Sequence, residues 1–342
     1  MTGQGALADA TGVGDPAPLT AVVRPARLAN GEGRSISLRD AFGEALLQLA
    51  QADPDIVVVD ADLSNAVGLT SFPAALPDQY LQVGIAEQNA VGVAAGLATW
   101  GYRPVVTSFA AFLTSRSLDQ VRVVVAQTGL PVVLVGGHAG LLAGRLGKTH
   151  VSMEDLAIMR ALPGMTILAP ADGVEMRGAI AAALAANRPV YLRSGRDPVP
   201  AFFAADHEVV LGAADLLREG DVACLLSTGS ITPLAHAAVQ LLAEAGHEVA
   251  HLHFGTVKPL SGAVVRDVAR GRRLVITCED HSRVGGFGSA VAEILSEEAL
   301  VPVLRIGTDD VWVDSARNDA LLALHRLTPA DIAERIAERL TR

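Results

Sequence analysis

Cysteine is scarce in this 342-residue chain: Cys224 and Cys278 stand alone in apolar, strand-like runs. Two such thiols build neither a disulfide framework nor a multi-cysteine metal site. Lys148 and Lys258 are the only lysines, so lysine-based covalent chemistry has just two candidates. No basic block stands out and the net charge is −10, which points away from nucleic acid and anionic membrane as partners. No apolar run reaches the ~18–20 residues of a membrane span. The N-terminus lacks a basic start followed by an apolar stretch, so no signal peptide is expected and the expected location is the cytoplasm. Apolar residues are plentiful, at 50% with a mean hydropathy of +0.36, enough for a sizeable core. At roughly 150 residues per domain, the length allows about two domains.

Residues 1–34 are rich in Gly, Ala, Pro and Asp without a period, and are expected to be a flexible tail. From Ser35 the pattern changes. Ser37 is placed to cap a helix with apolar positions at Leu38, Ala41, Phe42, Ala45, Leu46 and Leu49. The run Ile56-Val57-Val58-Val59 reads as a buried strand ending at Asp60-Ala61-Asp62. Further strands are expected over 80–83, 104–107, 131–136, 166–169 and 190–193, with helices over 87–99, 115–128, 153–161 and 173–186. A linker over 197–206 follows. Then comes a second unit over 207–342, with strands at 222–227, 249–254, 274–278 and 302–306 and helices at 233–245, 286–296 and 329–340. Continuous apolar strands alternating with helices predict an α/β protein of two doubly wound domains with mostly parallel sheets.

Ligands of such sheets sit at the carboxyl ends of strands. The second strand is followed by Gly84-Ile85-Ala86-Glu87-Gln88-Asn89, in which Glu87 opens a helix. An acid there is favoured by the helix dipole whatever its function. The third is followed by Ser108-Phe109-Ala110-Ala111-Phe112, two rings in a chain with 4% aromatics, for which core packing is the plain explanation. The fourth leads into a glycine-rich loop from His138 to His150. Gly147-Lys148-Thr149 invites a phosphate-loop reading, but Leu142 stands where that motif needs glycine. His251 and His253 alternate on one strand and share a face, with no third metal ligand evident. Glu279-Asp280-His281 precedes the glycine turn Gly285-Gly286-Phe287-Gly288.

Taken in order, these segments resemble the transketolase family of thiamine-diphosphate enzymes. The carriers are Asp60–Ser64, Gly84–Asn89, Ser108–Leu113, Asp119-Gln120-Val121-Arg122, the His138–His150 loop and Glu279–Gly288. The resemblance covers residues 36–342, with 35–196 as the pyrimidine-binding domain and 207–342 as the transketolase C-terminal domain. The family's diphosphate-binding domain, with its Gly-Asp-Gly motif and metal-holding Asn, has no counterpart here. The resemblance therefore implies the C-terminal subunit of a split transketolase. Its separate N-terminal partner would hold magnesium and the diphosphate, most simply in an α2β2 heterotetramer. No metal ligand is expected on this chain.

In the family, a glutamate matching Glu87 bonds a ring nitrogen of the cofactor's aminopyrimidine and favours the tautomer that deprotonates the thiazolium. Phe109 and Phe112 match the aromatic wall of that pocket, and Asp62 an acid on the thiazolium side. His138 matches a histidine on the donor's phosphate, Arg39 a phosphate-binding arginine, and Arg193 or Arg196 another. His150 matches an active-site histidine near the substrate hydroxyls. The implied reaction moves a two-carbon ketol unit from a ketose phosphate to an acceptor. One departure stands out: Leu146 occupies the place of the aspartate that binds an acceptor's α-hydroxyl. That disfavours aldose phosphates and leaves room for another acceptor, including one bound to a carrier protein. The alternatives are the β subunit of a 2-oxo-acid dehydrogenase and a non-catalytic scaffold subunit.

Overall fold

The computed structural model describes residues 19–29, 35–297 and 301–341. Its strands are β1 (Val23–Pro25), β2 (Ile36–Ser37), β3 (Ile56–Asp60), β4 (Tyr80–Gln82), β5 (Arg103–Phe109), β6 (Val133–Gly137), β7 (Thr166–Leu168) and β8 (Val190–Arg193). After them come β9 (Pro198–Val199), β10 (Ala214–Arg218), β11 (Ala223–Thr228), β12 (Val249–His253), β13 (Thr256–Lys258), β14 (Leu274–Ser282) and β15 (Val303–Thr308). They form a seven-stranded sheet, β13-β7-β8-β6-β5-β3-β4, a six-stranded sheet, β1-β10-β12-β11-β14-β15, and the small pair β2-β9.

The first sheet is parallel except for β13 at its edge. Successive residues face opposite sides. Val58, Val105, Val133 and Leu192 pack with Phe42, Leu46, Met176 and Ile180 from the helices Leu38–Ala52 and Gly173–Ala185. Val59, Val106 and Leu134 pack with Ala90, Val91 and Ala94 of the helix Glu87–Thr99 and with Val121 and Val125. Both faces are covered, which is why these strands read as unbroken apolar runs. Ser37 caps its helix as expected, accepting from Asp40 N at 3.1 Å.

Several sequence expectations are corrected. The tail assigned to 1–34 contains β1, which runs parallel to β10, and Arg24 pairs with Asp215 at 2.7 Å. Three residues ending in proline carry no period, so only the tertiary partner marks the strand. Residues 1–18 and 30–34 lie outside the described residues. The linker over 197–206 is not free chain: β9 pairs with β2, Phe203 is buried, and Asp172 accepts from Phe202 N and Phe203 N at 2.7 and 2.9 Å. The border near 207 is crossed as well, since β13 from the second half completes the first sheet. The helix expected over 115–128 begins earlier and contains wide π-turns at Phe112–Arg116 and Val121–Ala126 around Leu118–Gln120. Such turns often accompany functional positions.

Candidate active site

Glu87 enters the site because the chain turns at Gly84, with φ +74°, and starts a helix three residues later. The residue before that helix gives no side-chain cap. Glu87 is 1% exposed. Ser108 at the end of β5 donates its hydroxyl to Oε1 at 3.1 Å, and Arg116 Nη1 donates to Oε2 at 2.8 Å. The Arg116 Cζ lies 4.2 Å from the centroid of the Phe112 ring. Arg116 thus joins the acid to the aromatic wall. It escaped sequence reasoning, although a position four residues after Phe112 on a helical segment was a usable signal.

Phe109 ends β5, and Phe112 lies one turn on. Their ring centroids are 5.5 Å apart at 31°. The His138 ring, just past β6, sits 4.1 Å from Phe109. His150 comes to 5.9 Å from Phe109 and 5.5 Å from Phe112, both edge-on. The two histidines at the ends of the glycine-rich loop therefore meet at one aromatic pair. His138 has φ +58° and Asp62, at the end of β3, φ +65°. Non-glycine residues rarely adopt that conformation, and it concentrates at working sites.

The cations separate clearly. Burial first, then the positive charges of Arg196 and Arg39 and the nearby His150, push the His138 imidazole down to about 3. The charges of Arg39 and Arg196 are thus felt at His138. Arg39 Nε is buried without a hydrogen bond, its nearest acid oxygen being Asp40 Oδ1 at 3.6 Å. Arg196 is held loosely, with Nη1 3.4 Å from Asp197 Oδ1. Arg193, one of the two arginines the resemblance offered, is placed differently. It is 4% exposed, donates from Nε to Asp155 at 2.8 Å and from Nη2 to the Asp280 carbonyl at 2.7 Å. Those bonds fix it inside the fold, whereas Arg196 is half-buried. Asp62 is exposed and accepts from Gln82 at 2.7 Å. Leu146 is half-buried and packs against apolar clusters of both halves.

Elsewhere, His251 and His253 do share a face: they contact His236 and Thr232, both on the helix Thr232–Glu244. Glu175, His207 and Asp215 approach one another within 4.8 Å. Both of those acids already have partners, His253 on Glu175 at 2.9 Å and Arg24 on Asp215.

Residues 34–201 match the transketolase pyrimidine binding domain, and residues 212–332 match the transketolase C-terminal domain. The chain belongs to the transketolase family. It is 41% identical over 305 residues to the 6-deoxy-6-sulfo-D-fructose transketolase subunit SqwH of Clostridium sp. (strain MSTE9), covering 88% of this chain and 95% of that one. It is 37% identical over 304 residues to a subunit of the apulose-4-phosphate transketolase of Phocaeicola vulgatus, covering 89% and 97%. A solved split-gene transketolase, described as an inactive beta4 tetramer, superposes with a TM-score of 0.81 at 37% identity over 90% of this chain and 99% of that one. These relatives are subunits of about this length, as the sequence reading of a split transketolase subunit expects. Relatives in the family are thiamine-diphosphate enzymes.

Proposed function

We propose that this chain is the C-terminal subunit of a two-component, thiamine-diphosphate-dependent transketolase that moves a two-carbon ketol unit from a ketose phosphate to an acceptor. The observation that carries this is one cluster: Glu87 held by Arg116, Arg116 over the Phe112 ring, and His138 and His150 against the Phe109–Phe112 pair. Guanidinium forks suit the geometry and charge of a phosphate group.

The residues fit the cofactor's aminopyrimidine. A buried carboxyl group beside two apolar rings suits a planar heteroaromatic that bonds at its edge and stacks on its face. When bound, the cofactor supplies the carbon nucleophile that attacks the ketose carbonyl. Glu87 holds or shares a proton at a ring nitrogen of the aminopyrimidine. Arg116 and Ser108 fix its carboxylate. Phe109 and Phe112 exclude water from that edge. Arg39, Arg196 and His138 bind the donor's anion, and His150 faces its hydroxyls.

The partner subunit holds magnesium and the diphosphate. Ile85 supports this arrangement: it lies two residues before Glu87 and is 75% exposed. On the same helix, a Cβ at Gly92 or Gly96 would meet nothing within 4 Å, leaving a smooth face for another chain. Two copies of each subunit close such an assembly. The relative named for a sulfo-sugar favours a second donor class, a ketose ending in sulfonate, which the same cations would bind. Leu146 turns the acceptor side away from an α-hydroxyl. Arg145 is exposed and free to face an anionic or carrier-bound acceptor, while Lys148 is paired with Asp314 at 2.9 Å.

Turnover of a ketose phosphate by the two purified subunits together, with none by either alone, is the expected result. Turnover of a 2-oxo acid in its place contradicts the proposal.

A further inference from the structure

The glycine-rich loop belongs by sequence to the first domain, yet its side chains pack into the second. Leu141, Ala143, Val151 and Met153 share an apolar core with Leu225, Ile276, Ile306 and Leu321. Polar contacts follow the same direction. Asp280 on β14 accepts from Leu141 N at 2.5 Å and Leu142 N at 3.4 Å. Ser315 donates to the Arg145 carbonyl at 2.6 Å. Asn318 opens the helix Asn318–Leu324, and its Nδ2 donates to the Leu142 carbonyl at 3.0 Å and to Asp197 Oδ2 at 2.9 Å. Asp197 in turn accepts from Arg196.

One amide of the second half therefore ties together the loop that carries His138 and His150 and the segment that carries Arg196. The approach is close. A Cβ at Gly144, with φ +29°, would come 2.4 Å from Asn318 Oδ1, and one at Gly140, with φ +80°, 2.3 Å from Asp280 Oδ2. No side chain fits at either place, so the loop is pressed directly onto these two groups.

We propose that the C-terminal domain sets the geometry of the anion site, with Asn318 as its positioning residue. This rests on the ketose-phosphate function given above. Asn318 touches neither cofactor nor donor. It acts through Asp197 on Arg196 and through Leu142 on the histidine loop. Without its two bonds Arg196 swings, and the cost falls on binding of the anionic end of the donor. Deprotonation at the cofactor, the task of Glu87, is untouched.

The test uses the reconstituted two-subunit complex, with fructose 6-phosphate and fructose as donors and one fixed aldehyde acceptor. Asn318 is half-buried, so the fold tolerates Asn318→Ala. Asn318→Asp keeps the shape but removes the donor and sets a second carboxylate against Asp197. The expected result is a KM for fructose 6-phosphate raised about three- to tenfold in Asn318→Ala and more in Asn318→Asp. The KM for fructose and the proton exchange rate at the thiazolium carbon stay at native values. In an Arg196→Ala background, Asn318→Ala adds little, because both act on one contact. Equal KM changes for the two donors, or full additivity with Arg196→Ala, overturn the proposal. Failure of the native complex to use fructose 6-phosphate or any other ketose phosphate overturns the underlying function instead, and is seen before any variant is made.

Discussion

Arg116 and Glu87 form an ion pair beside the aromatic pair, with Nη1 2.8 Å from Oε2. Arg116 is 46% exposed, so the pair adds little to stability. Its consequence is orientation: Glu87 is held by a cation that also lies over Phe112.

Glu87→Gln and Glu87→Ala should therefore slow proton exchange at the thiazolium carbon by ~10²–10⁴-fold, the usual reach of general acid–base catalysis. Arg116→Ala should slow it less, since the acid remains. The exchange is followed by NMR in the two-subunit complex, with circular dichroism as the check on folding. A native exchange rate in both Glu87 variants removes the residue from the mechanism.

Donor recognition separates the arginines. Arg39→Ala and Arg196→Ala should each weaken use of a phosphorylated ketose by about 10–100-fold, from loss of a charge-assisted hydrogen bond. An unphosphorylated ketose should be affected much less. Arg193→Ala should act on stability instead, because it leaves the buried Asp155 carboxylate without its arginine, with Tyr191 as its remaining donor, at about 3–5 kcal/mol. Melting temperatures and KM values for the two donors distinguish the cases. An Arg193 variant of native stability with a phosphate-specific KM defect contradicts this assignment.

His138 gives a pH dependence with a definite sign. Its ordinary value is 6.5 and the folded value is about 3. Between those values the unfolded chain binds a proton that the folded chain does not, so stability falls as the pH drops from 6.5 towards 3. Above 6.5 this residue contributes no slope. Buried His251 is lowered too and acts in the same direction, so the comparison must be with a variant. Denaturant midpoints of His138→Phe should fall less steeply over this interval than those of the native chain. Parallel slopes contradict it.

Much of the fold was legible because parallel strands covered on both faces leave unbroken apolar runs, as in Ile56–Asp60 and Val190–Arg193. The helices Gly262–Ala269 and Asn318–Leu324 were missed, and so were strands whose main signal is a partner elsewhere. β1 has three residues, β10 has a mixed burial pattern, and β13 is a short antiparallel edge. The site followed the same division. Glu87, Phe109, Phe112, His138 and His150 stand at strand ends or loop ends, where position alone marks them. Choosing between Arg193 and Arg196 required knowing that Asp155 lies against β8, which no local pattern records. Arg116 pairs with Glu87, 29 residues away in sequence, and no local pattern records that pairing.

Leu146 bears on the acceptor. An acceptor hydroxyl placed against leucine is desolvated and unpaired, at about 1–3 kcal/mol. The native complex should prefer an acceptor lacking the α-hydroxyl, and Leu146→Asp should shift the preference towards the hydroxylated analogue. A competition between the two acceptors reads this directly. Equal preference for the hydroxylated compound in native and variant complexes contradicts the role given to Leu146.

The central claim is that this chain supplies the pyrimidine half of a thiamine-diphosphate site whose diphosphate half lies on another polypeptide. Calorimetry of thiamine diphosphate with magnesium, on this chain alone and then with its partner subunit, tests it most directly. Weak binding by the chain alone and tight, magnesium-dependent binding by the pair is the predicted result. Tight, magnesium-dependent binding by the isolated chain contradicts it.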